Sequence, residues 1–304
     1  MHTNHPFGIF VLASIGWLSV ATPRARAQAG DAAAPAPAAV QLNLDHTGLG
    51  KLEWQFAAPS AVFDDKTALG MIDRMHEMVI HHIEFSAGQS ISAALRETKV
   101  GPDLPDSGAG ALTAKLASTK MDIVSYDAGE LPKDDTDVLK IFQLAKKLKV
   151  KDIVFTAPEK SLGKLDKLAK EYDVNVAIAN RIKPASMWSA DELVKDLAGC
   201  SDHIGICVRV VAFKRSGEDP AAAIRKLAGH IMECHLADIN AAGEEVVLGN
   251  GTIDLPAVLK AFKDQKFKGI FTVECHIGTG DEMRDKWIRS INKFSDQVTV
   301  VAAG

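Results

Sequence analysis

The sequence predicts a single (β/α)8 TIM barrel, an α/β fold, from three observations. Eight short apolar runs, most of them rich in β-branched residues, recur along the chain. Amphipathic helical runs alternate with them. The part able to fold spans about 260 residues, the usual size of such a barrel. A doubly wound open sheet would want a Gly-rich turn after the first strand, and Ala57-Ala58-Pro59-Ser60 is not one.

Residues 1–27 read as a signal peptide. Phe7 to Val20 is an apolar run too short to span a bilayer. Ala25-Arg26-Ala27 follows as a small-x-small cleavage pattern, with Gln28 as the new N-terminus. The segment before the run carries His2 and His5 but no Lys or Arg. Residues 28–44 are rich in Ala and Pro and read as a linker, leaving residues 45–304 for the barrel. The expected location is periplasmic or secreted. No second long apolar run exists, so no membrane contact is expected after cleavage. The formal charge is −4, and losing Arg24 and Arg26 makes it −6. A mildly acidic chain lacks the basic footprint of a nucleic-acid binder. Cys207, Cys234 and Cys275 sit in apolar runs and Cys200 ends a helix, so they read as buried thiols without a disulfide.

In order, the predicted strands are Leu52–Ala57, Ile80–Phe85, Asp122–Tyr126, Asp152–Thr156, Val174–Asn180, Ile204–Val210, Ile231–Leu236 and Ile270–Cys275. Asp64 precedes a helical stripe of Leu69, Ile72, Met75 and Val79. Val138, Ile141, Phe142, Ala145 and Leu148 form another. Ser189 and Glu192 have capping-box spacing. Asp219-Pro220 opens a helix, and Asp254 caps one that closes near Gly269. Met283, Trp287, Ile288, Ile291 and Phe294 stripe the last.

A barrel places its chemistry at the C-terminal ends of the strands. Those ends carry Glu84, Tyr126 with Asp127, Thr156, Asn180 with Arg181, Arg209, His235 with Asp238, and Glu274 with His276. His81 and His82 begin a strand, away from the mouth, and read as structural. Glu274, His235 and Arg209 are the expected catalytic groups. Glu84, Asn180, Arg181, Asp238, Tyr126 and His276 are the expected substrate contacts. Gly249-Asn250-Gly251 and Gly278-Thr279-Gly280 read as ordinary turns, since Asp281 would repel an anion at the second.

Several stretches resemble the sugar phosphate isomerase/epimerase family with the xylose-isomerase-like barrel. Ile83-Glu84-Phe85 with Gly88-Gln89 is similar to its "VEL…GQ", and Phe142 to Val154 to its "FxxAKKLGxKxIV". Leu165 to Asn180 resembles "LxKLAEEYGIKVAIHN", and Lys214 to Pro220 "VRSGLDP". His235 to Asp238 is similar to "HLKD", and Val273-Glu274 to the last strand's "IE". The resemblance runs in order from Leu52 to the C-terminus. It implies a site that holds one divalent metal with carboxylates and a His, where a carboxylate moves a proton next to a carbonyl. His235 and Glu274 fall on two of those positions. The sequence departs at others: Arg209 stands for an acid, Ala212 for a His, Thr156 for an acid and Ala237 for a Lys, and only Asn180 remains of "HNH".

Two protein ligands are too few for Mg or Mn, and Arg209 brings a fixed charge to the metal's place, with Glu274 as its expected partner. No cofactor is therefore expected. The alternative is one Mn, Mg or Zn ion on His235 and Glu274, completed by Glu84, Asp127 or Asp238. Two functions are open. One is an isomerase, epimerase or related lyase on a small carbohydrate, favoured by the retained Glu84, Asn180, His235, Asp238 and Glu274. The other is an inactive barrel that binds a sugar or a partner protein, favoured by the lost acid, His and Lys. An endonuclease would need a larger metal cluster and a basic face. Because sugar phosphates are chiefly intracellular, export points to free sugars, oxidised sugars or glycosides.

Overall fold

A computed structural model describes residues 40–304 except Asp64. The expected signal peptide, most of the linker and the Asp64 helix signal lie outside the described residues.

All eight predicted strands form, parallel, in one closed barrel. They are β1 (Gln55–Pro59), β2 (His82–Ser86), β3 (Asp122–Glu130), β4 (Asp152–Thr156), β5 (Asn175–Ala179), β6 (Ile204–Arg209), β7 (Ile231–Leu236) and β10 (Ile270–Val273). Sequence neighbours pair around the ring, and β10 closes it between β7 and β1. The remaining strands, β8 (Asp238–Ile239) and β9 (Glu245–Val246), pair antiparallel in the loop after β7.

Alternation along each strand sorts the core into two layers. Outward side chains such as Phe85, Phe155 and Phe271 pack with Phe142, Trp287 and Phe294 of the helices in one large apolar cluster. Inward apolar side chains are mostly small: Ala57, Val124, Val154, Ala177, Ala179 and Cys207. That narrow interior leaves room for the polar groups of the site. All four cysteines are unbridged.

Four local expectations change. The first strand starts at Gln55, because Leu52 ends a short helix (His46–Leu52) capped by Asp45, which accepts from Gly48 N at 2.8 Å. The next helix (Ala68–Glu77) is capped by Thr67 and ends before Val79, which is 56% exposed. Ser189 caps as expected, accepting from Glu192 N at 3.2 Å, but Glu192 reaches back to Met187 N at 2.9 Å. The reciprocal bond fails because Glu192 goes past the cap residue. The helix capped by Asp254 stops at Asp264, well short of Gly269. Gly269 instead lies against the Met232 backbone oxygen, where a Cβ would not fit, and its carbonyl accepts from Gln55 N at 3.0 Å.

Val40 to Leu44, the end of the stretch read as linker, lies on the last helix (Gly280–Ala303). Asn43 N donates to Asn292 Oδ1 at 2.7 Å, and Asn292 Nδ2 donates to Gln41 O at 2.9 Å. His82 at the strand start contacts Asp122 at 2.5 Å, a structural pairing.

Candidate active site

The strand period decides which of the expected residues face inward. On β7, Glu233 and His235 are two apart and share the inner face, with Thr272 of β10 and Glu274, which follows that strand, beside them. On β6, Cys207 and Arg209 do the same. His235 is the hub. Its Nδ1 lies 2.9 Å from Glu274 Oε1, and its Nε2 lies 3.3 Å from Glu233 Oε1 and 2.7 Å from Glu84 Oε2. Only the Glu233 oxygen lies along the Nε2–H direction, so Glu84 Oε2 is close but without a hydrogen-bond donor among the described residues. Ser125 Oγ donates to Glu233 Oε2 at 2.9 Å.

Burial and charge set the protonation of this chain. Burial and the nearby Glu84 charge push the Glu233 carboxyl up to about 8. Burial and Glu233 push Asp152 up to about 6. Burial opposes a charged His235 ring. Beside Cys207, whose buried thiol is itself pushed up to about 12, the carboxylates of Glu84 and Glu274 outweigh that penalty, and the pKa of His235 is raised well above the usual imidazole range. Burial would raise Glu274 too, but His235 and then Arg209 hold it at about 2.

Glu274 and Arg209 open onto one pocket of about 200 Å3, walled by Val211, Ala212, Ala237 and Ile239 and edged by Glu245 and His276. Their side chains are 25% and 29% exposed. Arg209 bonds Thr156 Oγ1 at 3.2 Å and Asp127 Oδ2 at 3.4 Å. The expected Arg209–Glu274 pair is therefore corrected: Asp127 takes the guanidinium, because the longer β3 carries its inward carboxylate to that level, and His235 takes Glu274. The Nε–H of Arg209 has no acceptor among the described residues.

Other expected contacts are placed differently. His235 is fully buried and both ring nitrogens face carboxylates, so it stands behind Glu274 and not in the pocket. Asn180 clamps the backbone of Arg209, accepting from its N at 2.6 Å and donating to its O at 3.2 Å. Asp238 accepts four backbone N–H groups, from Ile239 (2.9 Å), Gly249 (2.9 Å), Gly251 (2.9 Å) and Ile253 (3.0 Å), which makes it the anchor of that loop. The turn reading of Gly249 to Gly251 fits this use of their N–H groups. Tyr126 falls on the outward phase of β3, in the apolar layer, where burial pushes its hydroxyl up to about 12. Arg181 is half-buried, and its N bonds Met187 O. His276 lines the pocket, held by Glu245, which accepts from its N at 2.7 Å and meets its Nδ1 at 3.2 Å.

Glu233, Glu245, Ser125 and Thr272 were missed. Glu233 was legible, since an acid two residues before His235 on one strand shares its face. Glu245 was not, because it belongs to a hairpin with no periodic signal.

The residues present do not fit the divalent metal that the resemblance implies. At the mouth the donor positions hold Arg209, Ala212 and Thr156. Deeper, Glu84, Glu233 and His235 are the one group of such ligand types within 4.8 Å of one another among the described residues. The 2.7 Å between His235 Nε2 and Glu84 Oε2 is a direct contact. None of the three lines the pocket, so an ion held by them would have no open position for a substrate oxygen.

A family model described as the xylose isomerase-like TIM barrel matches residues 142–296. No curated protein matches the chain significantly. Among solved structures, an uncharacterized protein from Parabacteroides distasonis is 25% identical, over 80% of this chain and 100% of that one, with a TM-score of 0.64. A 3-keto-D-glucoside 4-epimerase from E. coli is 13% identical, over 80% and 99%, with a TM-score of 0.63. A D-psicose 3-epimerase from Clostridium cellulolyticum H10 is 14% identical, over 80% and 99%, with a TM-score of 0.64. The two epimerases share the fold at these identities. With its closed parallel barrel and the match over half its length, this chain belongs to the xylose isomerase-like TIM barrel family.

Proposed function

We propose that the protein is an exported isomerase or epimerase acting on a free or oxidised sugar or a glycoside, by proton abstraction next to a carbonyl and without a metal. One observation carries this reading: a carboxylate, Glu274, and a fixed cation, Arg209, open side by side onto one sugar-sized pocket. Glu274 takes the proton from the carbon, the C–H electron pair moves into the carbonyl, and the resulting enolate oxygen lies against the Arg209 guanidinium. Return of the proton from Glu274 to the neighbouring carbon, as the hydroxyl proton of the carbon that lost its hydrogen passes to the enolate oxygen, completes isomerisation; a solvent proton taken up on the opposite face, with Glu274 giving its own to solvent, completes epimerisation. A carboxylate held at about 2 is a weak base. Stabilising the enolate is therefore the larger part of the task, and Arg209 supplies it. His235 orients Glu274 from behind. The fold neighbours named as sugar epimerases support the substrate class. The Ala25-Arg26-Ala27 pattern supports export.

The test is solvent exchange. A panel of keto sugars and keto glycosides in D2O should show deuterium entering next to the carbonyl with wild-type protein and not with Glu274→Gln. A second reading, a barrel that binds sugar without turnover, is favoured by one observation: Asn180, Asp238 and His235 are engaged within the protein. Binding by calorimetry with no exchange for any sugar in the panel would establish it.

A further inference from the structure

The strand starts, at the end of the barrel opposite Glu274, carry three histidines that the sugar chemistry does not use. His46 opens the short helix His46–Leu52, and His81 and His82 lead into β2. The ring centres of His46 and His81 are 5.5 Å apart, and those of His81 and His82 are 6.5 Å apart. All three edge one cavity of about 160 Å3, which Leu44, Leu49 and Trp54 also wall. Helix and barrel therefore meet across a row of imidazoles. The helix depends on this seat, because seven residues are too few for a stable helix in water. Its Leu49 is buried. Asp45 N donates to Ser295 Oγ at 2.7 Å, and Thr299 Oγ1 donates to Asp45 Oδ2 at 2.7 Å. Beyond the helix, Glu53 pairs with Lys268 at 2.6 Å, but both side chains are 60% exposed and the pair adds little.

The charges around His46 decide what a proton does there. His46 is exposed, so solvent protons reach it. Partial burial and then the His81 ring lower the pKa of the His46 imidazole from its usual 6.5, with His82 adding to them and Asp45 opposing. The Asp45 carboxylate is already shared, accepting from Gly48 N and Thr299 Oγ1, and Lys51 on the same helix adds positive charge near it. On the barrel side, Asp122 of β3 is bonded to His82 at 2.5 Å, which leaves His46 and His81 facing one another. A ring that takes a proton less readily when the helix is seated than when it is released weakens the seat as pH falls through 6.5.

We propose that His46 and His81 form an acid-sensitive latch: uncharged, they let the helix His46–Leu52 sit on the barrel, and charged together they push it off. The barrel itself stays closed, because the piece released is one short helix outside the ring of strands. The latch is independent of the sugar chemistry at the other end.

Hydrogen exchange read by mass spectrometry as protection factors, from about pH 8 to about pH 5, tests this on the full chain. Peptides spanning Asp45 to Trp54 report the helix, and peptides of β4 and β5 serve as the reference for the barrel. In the wild type, protection of the helix should fall about three-fold or more across that range, relative to the reference. His46→Gln and His81→Gln should each flatten the fall and leave protection at the alkaline end close to wild type. A wild-type helix whose relative protection is constant, or a fall that survives in both variants, would overturn the latch. A ring with a merely structural role would shift protection equally at every pH, which is the second of these results. The two variants stand in for one another if one fails to fold. Titration of the His46 ring by NMR needs no variant, and a wild-type midpoint at or above 6.5 overturns the latch as well.

Discussion

His235 Nδ1 stands 2.9 Å from Glu274 Oε1, joining a fully buried ring on β7 to a pocket-lining carboxylate that follows β10. The contact fixes which oxygen of Glu274 is left for substrate. Removing the basicity of that oxygen while keeping its shape should abolish turnover. Glu274→Gln should lower kcat by about two to four orders of magnitude. Steady-state kinetics on the sugar panel check this, and a fully active variant removes Glu274 from its role.

Activity should survive exhaustive chelation, because Arg209 provides the positive charge that a metal would supply. Arg209→Asp should lower activity unless it also restores metal binding. Elemental analysis decides the matter: stoichiometric Mn or Zn in purified protein, with activity lost on chelation and regained on addition, contradicts the prediction.

Glu233 gives a pH signature in stability. The unfolded chain releases its proton near 4.5, the folded chain near 8. Between those values the unfolded state binds fewer protons, so this group lowers stability as pH rises through the window. Glu233→Gln removes the effect, so its melting temperature should gain on wild type from pH 4.5 to 8 and run parallel outside that range. Glu274 acts in the opposite sense: held near 2, it contributes stability above about 4.5 that is lost as pH falls. Thermal melts across pH decide, and a constant difference between Glu233→Gln and wild type refutes the Glu233 assignment.

Asp238 should matter for stability more than for chemistry. Asp238→Ala leaves four backbone N–H groups without their acceptor and should cost about 3 kcal/mol or more. Gly251→Ala should also destabilise, since its Cβ would lie 2.5 Å from Ile239 O and against the Asp238 carboxylate. Urea unfolding measures both, and a wild-type midpoint for Asp238→Ala refutes the anchor.

Exported protein should begin near Gln28. Edman sequencing or intact mass of material recovered outside the cytoplasm tests this, and a chain starting at Met1 counts against export.

The sequence alone determined the barrel. Strands such as Asp152–Thr156 and Ile231–Leu236 have the predicted bounds, because burial on both faces imposes a continuous apolar run that is visible locally. It also placed Glu274 and Arg209 at the mouth, since strand ends determine that. Tertiary structure alone decided the pairings. That Asp127, and not Glu274, takes Arg209 depends on the phase of β3, whose register against β2 shifts between Ile123 and Ser125 and turns Ser125 and Asp127 inward. That Asp238 and Asn180 serve the backbone depends on which loop N–H groups curl over them. That His235 faces three carboxylates depends on β2, β7 and β10 meeting around the ring. Each is a contact between residues distant in sequence, and neither periodicity nor local spacing carries information about such a contact.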